Sequence, residues 1–187
     1  MKEKNQVNVI IPVHELNTAT EELFKKALKS IESQQVKPDK CLIVHTPQTK
    51  TKIEEVLTEL KFDKDFYQLV ENTTDKTDFC SQINLGVDNC KTNYFSILEL
   101  DDEYSKIYFK NVKEYIESYP ETGIFLPIIV EIDNDNKFQA FTNESIWATG
   151  FSEKVGYLDI NTLLKYTNFS TSGAVFKKSE FVENGKF

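Results

Sequence analysis

The chain has 187 residues, a formal net charge of −8 and a sequence pI near 4.9. That balance excludes the basic face that non-specific nucleic-acid binding requires. With 40% hydrophobic residues the chain can bury a core as one domain.

All 22 basic residues are lysines. A phosphate would therefore be met by lysine, backbone N–H groups or a metal, not by an arginine fork. No apolar run reaches membrane-spanning length, and the run behind the N-terminus is too short for a signal-peptide core. The expectation is a cytoplasmic protein. Cys41, Cys80 and Cys90 lack metal-ligand spacing and read as buried or partly buried thiols in a reducing compartment.

Val7–Val13 is a continuous apolar run, the pattern of a strand buried on both faces. Thr20–Ser33 follows with Leu23, Ala27, Leu28 and Ile31 at helical spacing. Cys41–His45 predicts a second strand, and Thr51–Leu60 a second helix through Ile53, Val56, Leu57 and Leu60. Phe66–Val70 reads as a third strand. Asp78 can cap a helix that runs to about Cys90. Tyr94–Leu100 predicts a fourth strand, and Ser105–Tyr119 a helix stopped by Pro120. Gly123–Ile132 reads as a long strand, turned by DNDNK into Phe138–Thr142.

Strands alternating with helices predict an α/β fold: a mostly parallel central sheet, helices on both faces, and a late β-hairpin that makes the sheet mixed. Such sheets bind ligands beyond the carboxyl ends of the strands, where the strand order reverses. The segments at those ends are His14–Leu16, His45–Pro47, Glu71–Asp75 and Glu99–Tyr104.

The last of these holds Glu99, Asp101, Asp102 and Glu103. On a strand, Glu99 and Asp101 would face the same side. Like charges held that close repel. A hard divalent cation relieves the repulsion, because Mg²⁺ and Mn²⁺ take one or two protein carboxylates plus the phosphates of a substrate. The alternative is a solvated loop in which Asp102 and Glu103 favour the start of the next helix. His14 and His45 end strands at the same edge. They read first as hydrogen-bonded loop histidines, with a phosphate or metal contact as the alternative.

Taken in order, VNVIIPVHE, Ile83-Asn84-Leu85-Gly86 and SILELDDEYS resemble the motifs of the family-two inverting glycosyltransferases. The resemblance runs over about residues 7–187. It implies a Rossmann-like GT-A fold, with residues 1–104 as the nucleotide-sugar-binding half and 105–187 as the start of the acceptor-side half. It implies transfer of a sugar, with inversion, from a nucleoside-diphosphate donor (UDP- or GDP-linked) to an acceptor, assisted by Mn²⁺ or Mg²⁺. Pro12, Val13, His14 and Glu15 would border base and ribose, and Asn84 and Gly86 would pack beside the nucleotide. Asp101 would hold the metal and so the diphosphate, with Glu99 and Asp102 as further ligands.

The chain departs from the family pattern in three places. Glu99-Leu100-Asp101 replaces an Asp-x-Asp triplet. Val44-His45-Thr46-Pro47 stands where the family places a base-reading Asp, leaving Thr46 for a base edge. The acidic pair that supplies the catalytic base would fall beyond residue 187. Inside the chain, Glu144, Glu153 and Asp159 are candidate bases, Glu144 foremost. Trp147 could stack on a sugar ring. Ser172 and Gly173 read as a tight backbone passage on the acceptor side. A degenerate transferase-fold binding module is the rival reading. A nucleotidyltransferase ranks below both, since PVHELNTAT has neither the glycines nor the cations of a phosphate loop. There is no G-x-S-x-G, P-loop or G-x-G-x-x-G motif.

Overall fold

The computed structural model describes residues 5–133, 135–142 and 170–187. Strand β1 (Val7–Val13) is buried throughout, as a strand covered on both faces must be. Helix α1 (Thr18–Glu32) starts at Asn17. The Asn17 side chain accepts from the N–H groups of Ala19 and Thr20, and the Thr20 hydroxyl accepts from the Asn17 N–H. This reciprocal capping satisfies N–H groups that the helix itself cannot. Then follow β2 (Lys40–His45), α2 (Lys50–Glu59), β3 (Tyr67–Glu71) and α3 (Phe79–Asn89), the last capped by Asp78 through Ser81. After these come β4 (Tyr94–Ile97), α4 (Tyr108–Ser118), β5 (Ile124–Phe125), β6 (Val130–Ile132), β7 (Phe138–Phe141), β8 (Val175–Lys177) and α5 (Lys178–Glu183).

The described chain divides into two compact units, Met1–Phe125 with Val175–Phe187, and Leu126–Ala174. The first unit holds a six-stranded sheet in the order β3-β2-β1-β4-β8-β5. The pairs β3·β2, β2·β1 and β1·β4 are parallel, while β8 runs antiparallel to both β4 and β5. The sheet is mixed because of β8, not because of the expected late hairpin. That hairpin, β6–β7, is a separate two-stranded sheet in the second unit. The expected long strand Gly123–Ile132 is thus two strands in two sheets, interrupted around Pro127, which lacks the N–H a ladder needs.

Helices cover both faces. Val7, Val9, Ile11 and Val13 of β1 share one core with Cys41 and Ile43 of β2, Phe24, Leu28 and Ile31 of α1, Ile53 and Val56 of α2, and Phe109 and Ile116 of α4. The alternate side chains of β1 and β2 face α3. Gly86 lies so close to that face that a Cβ would stand 2.6 Å from Ile10 Cγ2 and 3.1 Å from Val44 Cγ2. Beyond α3 on the same face, Phe181 of α5 packs edge-on to Phe95 at 5.1 Å. Of the three cysteines, Cys41 and Cys90 are buried and Cys80 is exposed, all three free. No helix among the described residues is long and apolar enough to cross a membrane.

Candidate functional site

The sheet order reverses between β1 and β4: from β1 the chain moves outward to β2 and β3, then crosses back to β4. A crevice opens beyond the carboxyl ends at such a point. Because β1, β2 and β4 are parallel, the segments that follow them all leave the sheet at this rim.

At the end of β1, Pro12 and Val13 are buried, and beyond it His14 and Glu15 are exposed. Glu15 accepts a 3.3 Å hydrogen bond from the Asn17 amide, tying the loop to the α1 cap. At the end of β2, His45 is 1% exposed, and Thr46 just beyond it 4%. The Thr46 carbonyl accepts from His45 Nδ1 at 2.9 Å and from the Thr49 hydroxyl at 3.1 Å. His45 is therefore a hydrogen-bonded histidine, whose Nδ1 carries the proton because a carbonyl can only accept.

After β4 the strand stops three residues earlier than its sequence pattern suggests. The Leu98 N–H still donates to Ile10 at 3.0 Å, continuing the ladder. The chain then turns, and the Asp102 N–H closes on the Glu99 carbonyl at 3.1 Å while Leu100 stays buried. Glu99 and Asp101 therefore do not share one face of a strand. A turn gathers the acids instead. Glu99 is half-buried, and burial raises its carboxyl above the ordinary range, with the charges of Asp102 and then Asp101 adding to the effect. Asp101, Asp102 and Glu103 are exposed.

The far end of this turn is held by residues that the sequence pattern does not single out. Tyr104 is 7% exposed. Its N–H donates to Ser30 Oγ on α1 at 3.0 Å. Its hydroxyl lies 2.7 Å from Ser96 Oγ and donates to the Ile97 carbonyl at 3.3 Å. Burial pushes this phenol far above its usual range. The Gln34 amide donates to the carbonyls of Ser30 and Ser105, and its oxygen accepts from the Phe109 N–H at 3.2 Å. Two clues were present in the sequence: Ser96 inside the apolar run YFSIL, and tyrosines four positions apart at 104 and 108.

Asn84 and Gly86 lie on α3. The Asn84 amide donates to the Phe187 carbonyl at 2.9 Å and accepts from the Phe187 N–H at 3.2 Å. Gly86 provides the close helix–sheet contact described above. Ser172 and Gly173 belong to the second unit and are buried. Gly173 has φ +75°, which L side chains rarely adopt, and lies 3.0 Å (to a Cβ built there) from Pro127. Glu144, Trp147, Glu153 and Asp159 lie outside the described residues.

Whether the acidic turn suits a metal can be tested on its donors. Among the described residues no three His, Cys, Asp or Glu side chains form a ready-made cage. The turn instead offers hard carboxylate oxygens, close enough for Asp102 and Asp101 to perturb Glu99. Two such groups, completed by phosphate oxygens, are what Mg²⁺ or Mn²⁺ accepts. The residues fit.

A mostly parallel α/β sheet with an acidic turn at its switch point defines an open, doubly wound α/β protein with its ligand-site geometry at that rim. The model of Glycosyl transferase family 2 matches residues 8–179. The chain belongs to that family. Curated protein sequences give no match. Among solved structures, S. aureus TarS 1-349 in complex with UDP-GlcNAc is 16% identical with a TM-score of 0.68, over 96% of this chain and 47% of that one. The mannosyltransferase PcManGT from Pyrobaculum calidifontis, in complex with GDP-Man and Mn²⁺, is 15% identical with a TM-score of 0.60, over 97% and 47%. The 4-diphosphocytidyl-2C-methyl-D-erythritolsynthase from Anaerococcus prevotii is 11% identical with a TM-score of 0.58, over 96% and 74%. At these identities the likeness shows the GT-A type fold alone. The chain spans about half the length of TarS 1-349 and of PcManGT.

Proposed function

We propose that the chain binds a nucleoside-diphosphate sugar, UDP- or GDP-linked, at the β1–β4 crevice and transfers the sugar to an acceptor with inversion. The observation that carries this reading is the acidic turn Glu99–Asp102 at the point where the sheet order reverses. Relatives in fold bind UDP-GlcNAc and GDP-Man, which supports a donor of that class.

In this reading Pro12–Glu15 and Thr46 border the base and ribose. Asp101, Glu99 and Asp102 would hold Mn²⁺ or Mg²⁺. Bound there, the cation would supply positive charge to the diphosphate as it leaves. The carboxylates would hold that cation in place, and the buried floor of β1 and β4 keeps water from one side of the donor. The acceptor hydroxyl must lose its proton to a carboxylate as it attacks the anomeric carbon. Glu144 is the chain's own candidate for that role, with Trp147, Ser172 and Gly173 proposed on the acceptor side.

The test is thermal melting with UDP, GDP, CDP and dTDP, each with and without Mn²⁺. A ligand at a hundredfold excess over Kd stabilises the native state by ~2.7 kcal/mol. For a chain of this size that raises Tm by about 5–10 °C. The expected result is a base-selective, metal-dependent rise that Asp101→Ala abolishes. A cooperative melt unmoved by any diphosphate would overturn the reading.

A further inference from the structure

The acidic turn is anchored at both of its ends. Its leading end is Leu98, whose N–H continues the ladder onto Ile10. Its trailing end is Tyr104, and this end is held from two different elements. The Tyr104 N–H reaches α1 through Ser30 Oγ at 3.0 Å, and Ser30 Oγ itself donates to the Ala27 carbonyl at 2.7 Å. The Tyr104 hydroxyl reaches β4 through Ser96 Oγ at 2.7 Å and the Ile97 carbonyl at 3.3 Å. The ring is stacked on Tyr108 at 4.3 Å and meets Phe109 edge-on at 5.1 Å.

The consequence is geometric. β4 ends at Ile97, and Tyr104 returns its hydroxyl to that same residue. The loop carrying Glu99, Asp101 and Asp102 is therefore closed at its base by a side chain, over only six residues of chain. A buried phenol is costly to place unless it is hydrogen-bonded. Here it bonds into the strand that precedes the acids. Losing a group that holds metal ligands in place typically costs about 10–100-fold in metal affinity.

We propose that Tyr104 is a positioning residue for the cation-binding geometry of the acidic turn: its hydroxyl closes the loop base onto Ser96 and Ile97, and its N–H locks that base to α1. The inference rests on the donor-site reading above. It deepens that reading by naming a residue that touches neither nucleotide nor metal and yet sets how strongly the metal couples to the diphosphate.

The experiment is calorimetric titration of UDP and of GDP into wild type and Tyr104→Phe, with and without Mn²⁺. Phenylalanine keeps the ring packing and removes the hydroxyl. The expected result is unchanged metal-free affinity and a Mn²⁺ enhancement reduced about tenfold, at the lower end for groups behind the ligands. Ser30→Ala, which removes the acceptor of the Tyr104 N–H, should reduce the enhancement in the same direction. Val56→Ala, a core truncation on α2 away from the turn, should lower Tm and leave the enhancement intact. The proposal is overturned if Tyr104→Phe keeps the wild-type enhancement, or if Val56→Ala loses as much. If wild type itself shows no Mn²⁺ enhancement with either nucleotide, the donor-site reading fails and takes this inference with it.

Discussion

Two turns of this protein are crowded with acids, and they use them differently. Glu99–Glu103 follows β4 in the first unit. Glu131, Asp133 and Asp135 lie along the β6–β7 hairpin in the second. In the hairpin, Asp133 Oδ1 accepts from the N–H groups of Asp135 and Lys137, both at 2.9 Å, and Oδ2 accepts from the Gln139 amide at 3.0 Å. Asp135 pairs with Lys137 at 3.5 Å, both largely exposed. Those carboxylates bond the hairpin's own backbone and side chains. In the first turn the Asp102 N–H closes on Glu99 O, and burial, followed by the charges of Asp102 and Asp101, raises the Glu99 carboxyl. The number of acids in a short stretch does not define a site. Their place at the end of a parallel strand, and how the base of their turn is held, separate a candidate ligand set from a solvated turn.

The platform under the first turn offers the largest way to break this contrast. Phe109 is fully buried against Tyr104 and Tyr108. Phe109→Ala should cost about 3–5 kcal/mol by denaturant unfolding. Phe138→Ala on the hairpin, where the ring is 58% exposed, should stay within about 0.5 kcal/mol. Next comes ligand-linked stability. Asp101→Ala should remove the ~2.7 kcal/mol gained at a hundredfold excess of nucleotide with Mn²⁺, while Asp135→Ala should remove none of it in the same melting assay.

A smaller effect sharpens the hairpin side. Asp133→Ala should cost about 1 kcal/mol, seen as faster amide exchange at Asp135 and Lys137, with amides 99–104 unchanged. The smallest concerns pH. Burial and the neighbouring charges of Asp102 and Asp101 raise the Glu99 carboxyl when the chain is folded. The folded state then holds this proton more tightly than the unfolded state does. The contribution is present below the ordinary glutamate value of about 4.3 and is lost as pH rises through the raised folded value. Without metal, Glu99→Gln should therefore melt slightly higher than wild type at neutral pH and show a flatter decline from acid to neutral.

Much of the fold was legible because burial leaves a periodic trace. Val7–Val13 reads as a two-sided core strand and is one, and α1 to α4 follow their apolar spacing. The parts that escaped are those whose reasons are non-local. β8 is three residues long and owes its place to pairing with Tyr94–Ser96 and Ile124–Phe125, far away in the chain. Gly123–Ile132 carries a continuous apolar pattern, yet its two ends join different sheets. For the site, the acids were visible as residue types, and the rim followed from strand alternation. Their convergence through a turn rather than a strand face was not visible, because Asp102 N–H bonding to Glu99 O leaves no compositional mark. Nor was the engagement of Asn84 with the Phe187 backbone, which spans 103 positions.

The most direct test of the central claim is paramagnetic broadening of the amide NMR signals by substoichiometric Mn²⁺ in the presence of UDP or GDP. Both acid-rich turns are then compared in one experiment, in the same molecule. Broadening centred on residues 99–102 and spreading to Val13–Glu15, with the hairpin signals sharp, is the predicted result. Broadening centred on Asp133 and Asp135, or spread evenly over exposed acids, would contradict the assignment of the β1–β4 crevice as the donor site.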